Sequence, residues 1–171
     1  MKKLTCITVA LTLLTLFSCT SQAQKPESPK SAGAAKLENR FSGEVVTNHN
    51  PELLAEILGD DFVSHQFPTP GNNNKAAFTE GMKNLFAGFP DIRVTRIEQH
   101  EIGDKAYTYA FWEGTQTGTF MGIPPSGKKV HVEYMDIWRV SDGKIRENWV
   151  VMDIAGLLIQ LGVMPPPGGG K

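Results

Sequence analysis

Lys129-Val130-His131-Val132-Glu133-Tyr134-Met135-Asp136-Ile137-Trp138-Arg139-Val140-Ser141 alternates without interruption between two kinds of side chain. Successive side chains of a strand point to opposite faces, so Val130, Val132, Tyr134, Asp136, Trp138 and Val140 share one face and His131, Glu133, Met135, Ile137 and Arg139 the other. The first face is apolar apart from Asp136 and the Tyr134 hydroxyl. A carboxylate among valines and a tryptophan is costly to bury charged, so Asp136 is expected to be hydrogen-bonded, ion-paired or raised in pKa. A raised carboxyl pKa is what acid/base catalysis near neutral pH requires. The other reading is that Asp136 accepts structural hydrogen bonds, from an indole or an arginine, as buried polar groups usually do.

The same alternation extends to both sides of this segment. From Asp91 onward the period is two, with many β-branched and aromatic residues, which predicts strands near 92–102, 105–117, 129–141 and 144–152. Gly103-Asp104 and Asp142-Gly143 are short enough for hairpins, so consecutive strands should pair antiparallel. A last helix, 154–161, should stop at Gly162, where glycine suits a left-handed cap. Upstream the period is helical. Leu37, Phe41, Val45 and Val46 form one stripe; Pro51 opens a second helix with Leu53, Leu54, Ile57 and Leu58; a third, 73–86, buries Ala77, Phe78, Met82, Leu85 and Phe86. Helices first and a curved antiparallel sheet afterwards give an α+β architecture, with the helices packed on one sheet face.

The amino terminus has the form of an export signal: Lys2 and Lys3, an apolar stretch from Leu4 to Phe17, and Ser18 before Cys19. The stretch is too short to span a bilayer, which takes about 20 apolar residues. Leu16-Phe17-Ser18-Cys19 resembles the lipobox of bacterial lipoproteins, in which the cysteine is acylated and becomes the first residue of the mature chain. Cleavage after Ala23, at Ser21-Gln22-Ala23, is the alternative and would release a secreted protein. The domain reading is therefore signal 1–19, tether 20–36, folded domain 37–164 and a Pro/Gly tail 165–171. The tether lacks the large apolar side chains needed to offset its ordering entropy. Both cysteines, Cys6 and Cys19, fall in the signal, so the domain holds no internal disulfide and rests on its core. A formal charge of -1 with signs interspersed leaves no basic stripe for nucleic acid. The expected location is the bacterial cell envelope, outside the cytoplasm, on a lipid anchor.

Six segments, in order and register, carry a resemblance: Phe89-Pro90-Asp91-Ile92, Gly114-Thr115-Gln116-Thr117-Gly118, Phe120 to Lys128, Asp136-Ile137-Trp138-Arg139, Asp142-Gly143-Lys144-Ile145 and Asp153 to Gly162. Together they resemble the SnoaL-like polyketide cyclase, or ester cyclase, family. The resemblance implies the cone-shaped α+β barrel of nuclear transport factor 2, with a pocket between bent sheet and helices. It implies cofactor-free aldol-type ring closure, in which a side chain removes a proton next to a carbonyl while the pocket folds the substrate. The family's strand aspartate falls on Asp136, the first catalytic candidate. Asp153 is the second, with capping of the last helix as its other reading.

Two positions depart from the family. Its members commonly carry histidine where this chain has Gln116 and Asn148, and an amide orients a carbonyl but cannot exchange protons near neutral pH. The expected pocket comprises Tyr134, Trp138, Trp112, Gln116, Asn148, Trp149, His65, Phe62 and Phe86, most of the aromatics serving equally well as core. The four histidines, His49, His65, His100 and His131, are scattered and give no metal-ligand pair, so no metal or cofactor is expected. The apolar loop 120–125 should fold over the pocket mouth or pack on a second subunit, as a homodimer would require. Two functions remain open: an enzyme acting on a small apolar carbonyl compound through Asp136, or a non-catalytic module holding a hydrophobic small molecule in the same pocket.

Overall fold

The computed structural model describes residues 33–66 and 73–168. The signal, Cys19 and nearly all of the tether lie outside the described residues. The first helix, α1 (Ala34–Arg40), begins inside the segment read as tether. Ala34 is fully buried, and the Glu101 carboxylate accepts hydrogen bonds from the Gly33 and Ala35 N–H groups at 3.0 and 2.9 Å. A side chain from a distant strand thus satisfies orphan donors at a helix start, a contact that local composition does not reveal.

The helix widens into a π-helical segment, Phe41–Thr47, which buries Phe41, Val45 and Val46. A 3-10 turn (Pro51–Leu53) and one turn of α-helix, α2 (Leu54–Ile57), follow. At Leu58 the backbone becomes extended, and β1 (Leu58–Ser64) begins where the sequence reading continued a helix. The remaining elements are α3 (Lys75–Gly88), β2 (Arg93–Ile102), β3 (Lys105–Thr115), β4 (Lys129–Ser141), β5 (Lys144–Met152) and α4 (Ile154–Leu161).

Among the described residues the sheet has five strands in the order β1-β5-β4-β3-β2. β2 to β5 pair antiparallel as expected; β1 pairs with β5 in parallel, so the sheet is mixed at one edge. The sequence reading missed β1 because Leu54, Ile57 and Leu58 fit a helical stripe, while burial of Leu58, Phe62 and Ser64 comes from packing on β5 and α3.

Two bulges set the inward faces. Between Ile145 and Glu147 the register with β4 shifts by one residue, and between Arg96 and Glu98 the same happens in β2. An inserted residue reverses which alternate positions face the core. Asn148 therefore points inward and Trp149 outward on β5. On β2, Gln99 joins Arg96 on the inner side while Ile97 stays half exposed. At the far end, the Asp153 carboxylate accepts from the Gly156 N–H at 2.7 Å, and Gly162 closes α4 at φ 80°, a left-handed conformation that glycine adopts without strain.

Candidate functional site

The concave inner face of the sheet, roofed by α3 and α4, encloses a cavity of about 540 Å³. That lies within the ~300–1,000 Å³ of small-molecule pockets. The α3 stripe read as core explains the space: Phe78, Met82 and Leu85 are only half-buried because they face the cavity. Phe120, Met121 and Gly122 also line it, so the apolar loop folds toward the cavity. Phe120 is anchored on Phe89 with ring centroids 5.1 Å apart.

Gln116 holds that loop in place. It is fully buried, its Nε2 donates to the Ile123 carbonyl at 3.1 Å, and its Oε1 accepts from the Ser126 N–H at 3.2 Å. The loop is docked on α3 through Thr117 and Gly118, whose N–H groups both donate to the Gly88 carbonyl at 3.1 Å. A Cβ at Gly118 would collide with the Ala87 carbonyl, so only glycine allows this approach. Gln116 therefore builds the wall but does not line the cavity.

β4 supplies the polar centre. Tyr134, Asp136 and Trp138 line the cavity together with Trp112 of β3 and Asn148 of β5. Trp138 is wedged against Phe41 at 4.6 Å, which fixes its ring. Asp136 is 4% exposed and Asn148 not at all. Among the described residues, Asp136 Oδ1, both side-chain polar atoms of Asn148 and the Trp112 indole nitrogen are buried without a protein partner. Buried polar atoms almost always have partners, so this convergence implies groups completed by something in the cavity.

Burial pushes the Asp136 carboxyl up to about 7. The Trp138 indole and Thr108 hydroxyl pull the other way, while negative charge on Glu38 adds to the rise. Among the described residues Asp136 is in no ion pair; Arg96, which also acts on it, is engaged by Glu38 at 3.2 Å. The Tyr134 hydroxyl is raised further, mainly by burial and then by Asp136, and stays a neutral donor at ordinary pH.

The other expected site residues lie elsewhere. His65 and Trp149 stack on each other at 4.6 Å, outside the cavity lining, because the β5 bulge turns Trp149 outward. His65 also meets Glu147 at 3.1 Å. Phe62 is core, packed edge-on against Phe78 at 5.2 Å. Phe86 meets the His49 ring at 5.2 Å and does not line the cavity. Asp153 is the cap of α4 and is likewise absent from the lining.

Glu38 is the residue that sequence reasoning missed. It is a fully buried carboxylate on the helix stripe otherwise read from Leu37 and Phe41, and its partners Arg96 and Gln99 come from β2. The available signal was a charged residue within an apolar helical stripe, which is too common to stand out.

Residues 36–161, most of the chain, match the profile of the SnoaL-like polyketide cyclases. The chain belongs to this family. It is 36% identical over 71 residues to the nogalonic acid methyl ester cyclase of Streptomyces nogalater, a stretch covering 42% of this chain and 52% of that protein. The chain thus spans about half the length of the curated relative it matches. TsrD from Streptomyces laurentii superposes with a TM-score of 0.69 at 26% identity, over 78% of this chain and 97% of TsrD. A Jannaschia sp. CCS1 structure described as a SnoaL-like polyketide cyclase gives a TM-score of 0.72 at 22% identity, over 82% of this chain and 99% of the other. The latter likeness is one of fold. The helices and bent sheet are those of the nuclear transport factor 2-like barrel, to which the SnoaL-like proteins belong.

Proposed function

We propose that this SnoaL-like protein performs cofactor-free acid/base chemistry on a small, mostly apolar carbonyl compound, with Asp136 as the group that moves the proton. One observation carries the reading: a buried carboxylate lines a largely apolar cavity with one oxygen unpartnered among the described residues, and its pKa is pushed up to about 7. A carboxyl group with that value is present in both protonation states near neutral pH, which suits a base that must later act as an acid.

In the reaction, the Asp136 carboxylate takes a proton from carbon next to a carbonyl. The C–H pair moves into the enolate, whose oxygen is met by a neutral donor such as the Asn148 amide or an indole N–H. The enolate carbon then attacks a second carbonyl of the same folded molecule, a C–C bond forms, and the alkoxide takes back the proton from Asp136. Electron and proton counts close without any other reactant. The half-buried apolar walls supply what Asp136 cannot, which is to hold both ends of the substrate within reach.

Two probes test this. Nogalonic acid methyl ester, the compound in the relative's name, reads ring closure by mass-neutral conversion on chromatography. α-Tetralone in deuterium oxide reads proton abstraction alone, by loss of its α-proton NMR signal. Faster reaction of either probe with the wild-type protein than with Asp136→Asn supports the reading, and equal rates for both probes overturn it. A non-catalytic reading is favoured by one feature, the Asn148 amide, which offers the cavity a donor and an acceptor but no group that acts as acid or base near neutral pH. Saturable retention of α-tetralone with equal exchange in both proteins would establish that reading instead.

The proposal extends to location. Lys2 to Cys19 support export and lipid anchoring in the bacterial envelope, and Cys19→Ser would then move the protein from the membrane fraction to the soluble one. The exposed Met135 and Val151, neighbours on the outer sheet face, support a homodimer, which native mass spectrometry would count directly.

A further inference from the structure

Beside Asp136, on the same inner face but outside the cavity lining, lies a second polar layer that the reaction above does not use. Glu38 projects from α1 and is fully buried, yet it does not line the cavity. One of its oxygens, Oε2, accepts from Arg96 at 3.2 Å and from Gln99 Nε2; the other, Oε1, is buried without a partner among the described residues. Gln99 Nε2 also donates to the Thr108 hydroxyl oxygen at 3.3 Å. Thr108 is the direct cross-strand neighbour of Asp136, and its hydroxyl is among the groups that hold the Asp136 carboxyl down.

The direction of donation along this chain is fixed by chemistry. Both N–H bonds of the Gln99 amide are committed, one to Glu38 and one to Thr108. A hydroxyl that accepts from Gln99 has its single proton left for Asp136. An amide cannot relay a proton, so the chain transmits orientation and field, not protons. It exists because of the β2 bulge at Ile97, which brings Arg96 and Gln99 to the same inner face.

We infer that Glu38 is a positioning residue for Asp136: through Gln99 and Thr108 it orients one carboxylate oxygen away from the cavity and leaves the other facing a substrate. The inference rests on the reading of Asp136 as the proton-transfer group. Charged and titratable groups that face Asp136 are Glu38 from α1, Arg96 from β2 and Tyr134 from β4; its β3 and β5 partners, Thr108 and Val150, bring none. Glu38 is itself raised by burial, with Arg96, Gln99 and Ser42 holding it down. When ionised, its charge disfavours ionisation of Asp136 and opposes the lowering that Arg96 exerts.

Both effects have one sign. Glu38→Gln removes a negative charge and frees Arg96, so the Asp136 midpoint should fall. Arg96→Met removes the positive charge, so the midpoint should rise. A general loosening of the fold has no reason to move the midpoint in opposite directions in these two variants.

The test is carboxyl 13C NMR titration of the full chain with labelled aspartate, the Asp136 signal being the one missing from Asp136→Asn. In wild type the signal should titrate near 7. In Glu38→Gln it should fall by about one pH unit, a typical effect of a nearby charge, and in Arg96→Met it should rise. A wild-type midpoint in the ordinary aspartate range sinks the reading of Asp136 itself. A wild-type midpoint near 7 that neither variant displaces, or that both displace the same way, leaves Asp136 standing and overturns the role of Glu38. If Glu38→Gln fails to fold, the half-exposed Arg96→Met decides alone: a rise supports the inference, and no change or a fall defeats it.

Discussion

Asp136 and Glu147 sit on neighbouring strands, one on each face of the same sheet, and the two faces treat the same functional group in opposite ways. On the inner face, Asp136 is surrounded by indole, phenol and aliphatic side chains, and burial drives its pKa up. On the outer face, Glu147 is paired with Arg139 and His65, and those partners hold its carboxyl below its usual value. A carboxylate that is paired is stabilised as a charge and finished as a structural element. One that is buried and only partly satisfied costs the fold stability and remains available for chemistry.

The largest expected consequence is kinetic. Asp136→Asn should reduce α-tetralone exchange by about 10²–10⁴-fold, the usual contribution of a positioned acid/base group. Glu147→Gln should leave the rate within about twofold, since its side chain is directed to the other face. Equal losses in the two variants would erase the contrast between the faces.

The second consequence is thermodynamic and concerns the same aspartate. Its pKa is raised from 3.8 to about 7 on folding, so between those values the folded state binds more protons than the unfolded state. Stability should therefore fall as pH rises through that window, by at most roughly 4 kcal/mol for a shift of this size. Asp136→Asn removes the penalty. By urea denaturation the variant should gain on wild type between pH 4 and pH 8, and a gain independent of pH would show that Asp136 is not raised.

The contrast between faces was legible along β4, where strict alternation puts Asp136, Tyr134 and Trp138 inside, and much less so along β5. There, the bulge before Glu147 reverses the alternation, which is why Asn148 lines the cavity and Trp149 does not. A bulge is a property of paired strands and leaves no periodic trace in a single one. The four antiparallel strands and α4 were readable because their boundaries carry turn and cap chemistry: Gly103, Gly143, Asp153 and Gly162. β1 was not readable, since its apolar residues also fit a helix and its partner strand lies more than 80 residues away in sequence. Glu38 was hidden for a related reason. Its importance comes entirely from Arg96, Gln99 and Thr108, which only the tertiary fold brings to it.

A third carboxylate separates capping from catalysis. Asp153 caps α4 through the Gly156 N–H, and Asp153→Ala should cost about 1 kcal/mol in denaturant unfolding, as lost caps do. Its α-tetralone exchange per folded molecule should match wild type. A loss of exchange beyond the unfolded fraction would restore Asp153 as a reacting group.

The smallest effect is the mirror image of the Asp136 result. Because pairing with Arg139 and then His65 lowers the Glu147 pKa, its contribution to stability is present above the unfolded glutamate value and is lost as pH falls through the lowered one. The pair is partly exposed, at 30% and 27% for its two side chains, so the contribution is no more than about 1 kcal/mol and is weakened by salt. Glu147→Gln should thus unfold at slightly lower urea than wild type at pH 7 and at the same urea near pH 3. Relative to wild type, raising the pH should penalise this variant and favour Asp136→Asn. If both variants moved the same way with pH, the sheet would not be partitioning its carboxylates by face, and the raised value at Asp136 would need a cause other than burial against the cavity wall.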